Sequence, residues 1–430
     1  MRLHTSVECA ICRTFAAQSL VFTSFFELMV TLSRLVRRLR TYAGQLAVFA
    51  RTPFTRPVDL VVLDDIFPQP LSSFRFVEFN NYLKALPGAV VHSSATAFRL
   101  VNEARTFAQV WQEYATTHPN EAPRVLLFNR WTVLRAKLAY LVFINNAYSF
   151  LPVLERHRIP FVFTLYPGGG FALDNPESDA KLRQVMNSPL FRHVIVTQNL
   201  TRNYLLSHNF CQAEQITLVY GVVLPENLLQ SAGTSVRDVL GQGKNTFDIC
   251  FVAHKYTARG VDKGYDTFIA VAQSLAKQLP QVRFHVVGPF NETDIDVQGL
   301  SGLTFYGPQR TTFFADFYSR MDVIVSPNVA FYLQPGAFDG FPTGSCVEAG
   351  LKGVTILCSD QLGQNMYLSD RKDIIITSNS VDEISEVLAY YYNHPQELRH
   401  IGQAGQQRMQ ELYSYESQMR PRLAVLQANL

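Results

Sequence analysis

The residues best suited to chemistry fall in the second half of the chain. The string Asp339-Gly340-Phe341-Pro342-Thr343-Gly344-Ser345-Cys346-Val347-Glu348-Ala349-Gly350 reads as a glycine-punctuated turn running straight into an amphipathic helix. A helix start offers unpaired N–H groups and a partial positive charge, so Thr343, Gly344 and Ser345 form a candidate anion site. Gly340 and Gly344 let the backbone come close to a ligand. Glu348 falls about one turn into the helix, where its carboxylate can accept hydrogen bonds from two neighbouring hydroxyls. Phosphate and diol together are the chemistry of a nucleotide sugar. A glycine-rich connection with a merely solvated Glu348 gives the same string, and this stretch alone leaves that reading open.

A second cluster lies upstream, where an apolar strand at 247–253 runs into His254-Lys255-Tyr256-Thr257-Ala258-Arg259-Gly260-Val261-Asp262-Lys263-Gly264. A helix over 265–278 follows, with Phe268, Val271, Ala272 and Leu275 on one face. A lysine beside a glycine just ahead of a helix acts as a point charge on a diphosphate, aided by the helix dipole. Lys263 is the candidate clamp, with Arg259 and His254 nearby. In the first half, Asp64, Asp65, Ser72, Ser73 and Arg75 follow a buried strand at 58–63 and are candidate cleft residues. Turn and capping roles explain most of them equally well. The paired aspartates suggest a metal, but no third ligand is evident, and none is expected.

The elements that position these groups alternate in type. Short apolar runs at 58–63, 89–92, 159–166, 247–253, 283–288, 303–307, 321–327 and 353–358 read as strands, with helices over 74–86, 150–156, 265–278 and 381–393. Strands are also expected at 124–128 and 141–145, with a helix between them. Strand and helix in alternation predict parallel sheets of the doubly wound α/β class, in which ligands bind beyond the carboxyl ends of the strands. The Gly168-Gly169-Gly170 run at such an end permits close backbone approach or a mobile lid. The stretch 225–245, rich in Gly, Ser and Gln, reads as a linker. Domains are therefore expected at 57–224 and 246–412, with a final helical segment at 413–430.

Composition narrows the function. At 430 residues, with 47% hydrophobic and 17% charged content, the chain has ample material for two globular cores. A formal charge of +3, without basic runs interleaved with aromatics, argues against a nucleic-acid partner. Six cysteines without regular spacing point to free thiols in a reducing compartment, hence a cytoplasmic protein. Cys9 and Cys12 lack the second pair that a zinc site needs.

Residues 1–56 differ from the rest. An apolar run from Phe15 to Leu32 leads into Arg34, Arg37, Arg38 and Arg40, with Leu28, Leu32, Leu35, Val36 and Leu39 on one helical face. That is the pattern of an interfacial helix drawn to anionic lipid, which would make the protein peripheral on the inner face of a membrane. A loosely ordered extension is the alternative.

The second half resembles the retaining nucleotide-sugar glycosyltransferases of family four, which have the two-domain GT-B fold. These carry two acidic residues in a Glu-Gly-Phe-Gly…Glu-Ala context, followed by a Gly and a strand. Asp339-Gly340-Phe341, Glu348-Ala349 and Gly353-Val354-Thr355-Ile356 resemble that motif, with Asp as the first acid and eight residues between the pair instead of seven. The Lys263-Gly264 pair matches the family's diphosphate clamp, while His254 stands where an Arg is usual. The resemblance covers 247–412 well and 57–223 fairly, where 191–199 resembles a family strand leading into a turn and 217–223 the strand and Gly that close the first domain, and is absent before 57. It implies two Rossmann-like domains facing across a cleft, with a last helix crossing back to the first. It also implies metal-independent transfer with retention from a nucleotide-diphosphate sugar, with no cofactor, to a glycan or lipid-linked acceptor, as in polysaccharide biosynthesis. Asp339 would contact the donor sugar and Glu348 the ribose. The family's cleft His has no counterpart; Asn145 and Tyr166 occupy the corresponding positions. Two alternatives follow, a catalytically silent binder of nucleotide sugars and a sugar-nucleotide epimerase.

Overall fold

A computed structural model describes residues 57–101, 105–129, 131–230 and 238–430. The N-terminal extension, with its candidate interfacial helix, lies outside the described residues. In chain order the first half runs β1 (Val58–Asp64), α1 (Ser73–Ala85), β2 (Ala89–Ser93), α2 (Phe107–Thr117), β3 (Val125–Leu127), β4 (Ala136–Val142), α3 (Ile144–His157), β5 (Phe161–Leu165), α4 (Pro176–Met186), β6 (Phe191–Val196), α5 (Asn199–Ser207) and β7 (Ile216–Leu218). The second runs α6 (Glu226–Gln230), β8 (Val239–Leu240), β9 (Gly243–Lys244), β10 (Phe247–Val252), α7 (Tyr265–Ala276), β11 (Val282–Val287), β12 (Leu303–Phe305), α8 (Thr311–Ser319), β13 (Val323–Ser326), α9 (Gly344–Leu351), β14 (Thr355–Ser359), β15 (Ile375–Thr377), α10 (Val381–Asn393), α11 (Pro395–Tyr413) and α12 (Tyr415–Ala428).

Two all-parallel sheets result, one of seven strands in the order β3-β2-β1-β4-β5-β6-β7 and one of six in the order β12-β11-β10-β13-β14-β15. Parallel strands need helical crossovers, which cover both faces and exclude water from both. Hence the continuous apolar runs: Leu60, Val61, Val62 and Leu63 of β1 are at most 1% exposed. Each such side chain contributes about 1.5–3 kcal/mol on burial. In each sheet the strand order reverses beside the first strand of the domain, between β1 and β4 and between β10 and β13. Their carboxyl ends open a crevice where a ligand can enter.

Three readings of the sequence change. No helix forms in the described residues between 127 and 136. β4 begins at Ala136 and ends at Val142, pairing with both β1 and β5, so Asn145 lies in the first turn of α3 and not on a strand. The cause is an apolar stretch at 138–142 buried on both faces, which periodicity cannot tell from a helix segment. The stretch expected to be a linker holds α6 and the short β8–β9 pair.

The last helix, α12, follows the second domain in the chain and packs on the first. Its Met419, Val425 and Leu426 join the layer formed by Leu60, Val62, Phe79 and Tyr82. Arg422 is fully buried there, with Nη2 donating to the Tyr166 hydroxyl at 3.2 Å and Nε 3.7 Å from Glu78. Glu78 also accepts hydrogen bonds from the hydroxyls of Tyr82 at 2.8 Å, Tyr166 at 3.3 Å and Tyr140. A buried charge survives only with such partners.

Candidate active site

Lys263 is placed by the loop between β10 and α7. Gly264 has φ +71°, and a Cβ there would lie 2.0 Å from the Pro327 carbonyl oxygen, so only glycine lets this loop close onto the end of β13. Val329 N–H donates to the Asp262 carbonyl at 3.1 Å and fastens the same contact. The Lys263 ammonium then reaches Asp339 Oδ2 at 2.6 Å and sits 5.1 Å from the centre of the Tyr256 ring. Asn328 Nδ2 donates to the same carboxylate oxygen at 2.5 Å. The lysine and the first acid of the motif thus form one ion pair.

The anion site and Glu348 come from α9. No side chain caps its first turn. Its N-terminal amides stay available to a ligand, as in other helix-terminus anion sites. Thr343 Oγ1 lies 3.4 Å from Ser326 Oγ and 3.3 Å from Ser345 Oγ. Cys346, Val347 and Ala349 bury one face of the helix against the sheet, and Glu348 turns to the crevice. There burial pushes its carboxyl up to about 7. No donor among the described residues satisfies it, so the group is held ready for one.

These residues line one cavity of about 620 Å³ between the two sheets. Lys263, Asp339, Gly340, Thr343 through Ser345, Glu348 and His254 all contribute, the His254 ring lying 4.8 Å from Tyr256. The first domain supplies the facing wall, mainly through Leu71, Phe74, Phe143, Tyr166 and Gln198. A lysine and helix amides on one side, with apolar rings on the other, suit a ligand with an anionic centre and a neutral end.

Other expected residues stand elsewhere. Arg259 is exposed and does not line the cavity. Asn145 lies outside it too, its Oδ1 accepting from Lys181 at 3.0 Å. The early start of α3 turns this residue to the surface and directs its neighbour Asn146 at Asp64 and Asp65. Those aspartates bind Arg75 at 2.8 and 2.7 Å, and Arg75 Nε donates to Ser72 Oγ. Burial raises the Asp64 carboxyl's pKa, against the pull of Arg75. The cluster ties down the loop after β1, leaving Leu71 and Phe74 to meet the cavity. Phe143 and Gln198 carried no signal as site residues. Phe143 takes φ +74° between β4 and α3, a conformation unmarked by its type, and Gln198 fell within the stretch 191–199, whose strand β6 ends at Val196.

Residues 269–424 match a family model described as glycosyl transferase-like. No curated protein matches the chain. Among solved structures, HepE of Anabaena in complex with UDP aligns with TM-score 0.60 at 16% identity, covering 86% of this chain and 100% of that one. Sucrose-phosphate synthase of Thermosynechococcus elongatus aligns with TM-score 0.57 at 14% identity over 86% and 100% of the two chains. A glycosyltransferase of Rickettsia africae gives TM-score 0.57 at 12% identity over 87% and 99%. The chain therefore has the GT-B fold, and its residues 269–424 are similar to the glycosyl transferase-like family.

Proposed function

We propose that this protein transfers a sugar from a nucleoside diphosphate sugar to a hydroxyl acceptor, with retention of configuration and without a metal. One observation carries the reading: Lys263, the uncapped start of α9 and Glu348 share a cavity at the switch point of the second sheet. In this mechanism the Lys263 ammonium and the amides of 343–345 hold the diphosphate and stabilise the negative charge that grows on it as the glycosidic bond breaks. Glu348 accepts the two ribose hydroxyls. Asp339 leaves Lys263 to the phosphates and turns to the hydroxyls of the transferred sugar. The acceptor approaches from the first-domain wall.

Uridine is the first base to test, because structures of Anabaena HepE hold UDP, UDP with glucose, and UDP-glucose. Thermal shift with UDP, GDP and ADP on the full chain should give a rise for one nucleotide, following its affinity for the native state. Incubation of the matching sugar donors with EDTA present should then release nucleotide. A chain that no nucleoside diphosphate stabilises would refute the proposal. A silent binder is the second reading, favoured by the absence of any His on the first-domain side of the cavity among the described residues. It predicts nucleotide binding without donor turnover.

A further inference from the structure

The two walls of the cavity differ in charge. Lys263, Asp339, Glu348 and His254 all belong to the second domain. Among the described residues the first-domain wall has no Asp, Glu, Lys, Arg or His. The charges just behind it are spent on one another: Arg75 on Asp64 and Asp65, with its guanidinium 5.1 Å from the Phe143 ring, and Glu78 on Arg422 and three tyrosines. A phosphate or carboxylate brought to this wall would lose water and gain no cation, which is strongly unfavourable.

What the wall does offer is aromatic surface and unpaired hydrogen-bonding capacity. Phe74 lies 4.8 Å from Tyr166 and 6.0 Å from Phe143, with Tyr166 and Phe143 5.9 Å apart, so the three rings form one tilted, edge-to-face apolar cluster. Leu71 stands at its rim, 64% exposed. Gln198 also lines the cavity and is 3% exposed; its Nε2 donates to the Phe341 carbonyl, and its Oε1 has no partner among the described residues. A buried acceptor left unpaired is costly, and a hydroxyl supplies the missing donor where an ionised phosphate does not. A pyranose ring has both parts, an apolar face of C–H groups and a rim of hydroxyls.

We infer that the acceptor presents a neutral sugar ring to this wall, its apolar face on Phe74 and its hydroxyls toward Gln198, and that phosphorylated or carboxylated acceptors are excluded. This rests on the glycosyltransferase reading and names its acceptor class.

The test is direct binding to the full chain, with and without UDP, by saturation-transfer NMR. Methyl glucoside and methyl galactoside are the neutral probes, and methyl glucuronide and glucose 6-phosphate the anionic ones. The neutral glycosides should bind at least tenfold more tightly than their anionic counterparts. Phe74→Ala and Leu71→Ala should each weaken neutral binding severalfold while leaving the UDP affinity unchanged in calorimetry, which shows the variants still fold. Anionic probes binding as tightly as neutral ones, no neutral binding, or neutral binding unaffected by either variant would each overturn the inference. Neutral glycosides bound in a chain that fails to bind UDP would instead overturn the donor reading, so the two failures are separable.

Discussion

Glu348 makes two measurable statements at once. Its carboxyl titrates near 7 in the folded chain against an ordinary value of 4.5, because burial penalises the charged form. Between those values the folded state holds a proton that the unfolded state has released, so this group lowers stability as pH rises through the window. Glu348→Gln should therefore melt close to the parent near pH 4.5 and above it by pH 8, read as melting temperatures across that range. UDP affinity should move the opposite way. The parent should bind more weakly at pH 6 than at pH 8, since only the carboxylate accepts both ribose hydroxyls, and Glu348→Gln should bind weakly at every pH. Lys263 gives a second test. Hydrogen bonds to charged groups contribute about 1.5–3 kcal/mol, so Lys263→Met should reduce UDP affinity by roughly 10- to 100-fold. Part of that loss is repulsion from Asp339, which keeps its Asn328 hydrogen bond but loses its cation beside the phosphates. Adding Asp339→Asn should recover some affinity, and calorimetry on the two singles and the double variant measures the coupling.

At the scale of elements, the segment between β13 and α9 joins the two domains. Leu173 N–H donates to the Gly336 carbonyl at 2.9 Å, and Phe338 packs 5.9 Å from Phe171 within the first domain's apolar core. Gly336 has φ +78°, and a Cβ there would fall 1.8 Å from the Leu173 carbonyl oxygen. Gly336→Ala must break this contact. Because Asp339 follows only three residues later, it should also loosen the Lys263–Asp339 pair. Hydrogen exchange should rise at 168–173 and 329–338 together, and protection unchanged in both stretches would show that the segment does not hold the domains.

The whole molecule depends on a helix far from both sheets' first strands in sequence. Arg422 lies fully buried against Glu78 and Tyr166, and removing one partner of a buried pair leaves an uncompensated charge costing about 3–5 kcal/mol. Arg422→Ala should lower the melting temperature by several degrees and make 415–428 sensitive to protease, while a nearly unchanged melting point would argue against a structural role for the clasp. Gln418 Nε2 donates to the Tyr220 carbonyl at 2.7 Å, and Tyr413 lines the cavity, so the same displacement should weaken nucleotide binding as well.

How much of this was legible in the chain follows from where the relevant contacts lie. The strand–turn–helix string around Glu348 and the Lys263-Gly264 pair ahead of α7 were readable because each is a local arrangement, set by backbone periodicity and glycine placement within a few residues. The apolar runs that make parallel sheets were readable for the same reason, except at 138–142, where burial on both faces erased the difference between strand and helix. Asn145 and Arg259 were misplaced because the direction of a side chain at a loop or helix start depends on where the element begins, by a residue or two. Two doubly wound halves and a helix terminus with an acid one turn along were already written in the order of residues, since these need only local rules. Only the packed structure shows that Lys263 meets Asp339 across 76 positions, that Phe74, Phe143 and Gln198 face them, and that Arg422 is buried against Glu78 and Tyr166. Such meetings depend on how whole layers pack, and packing leaves no mark in the spacing of neighbouring residues.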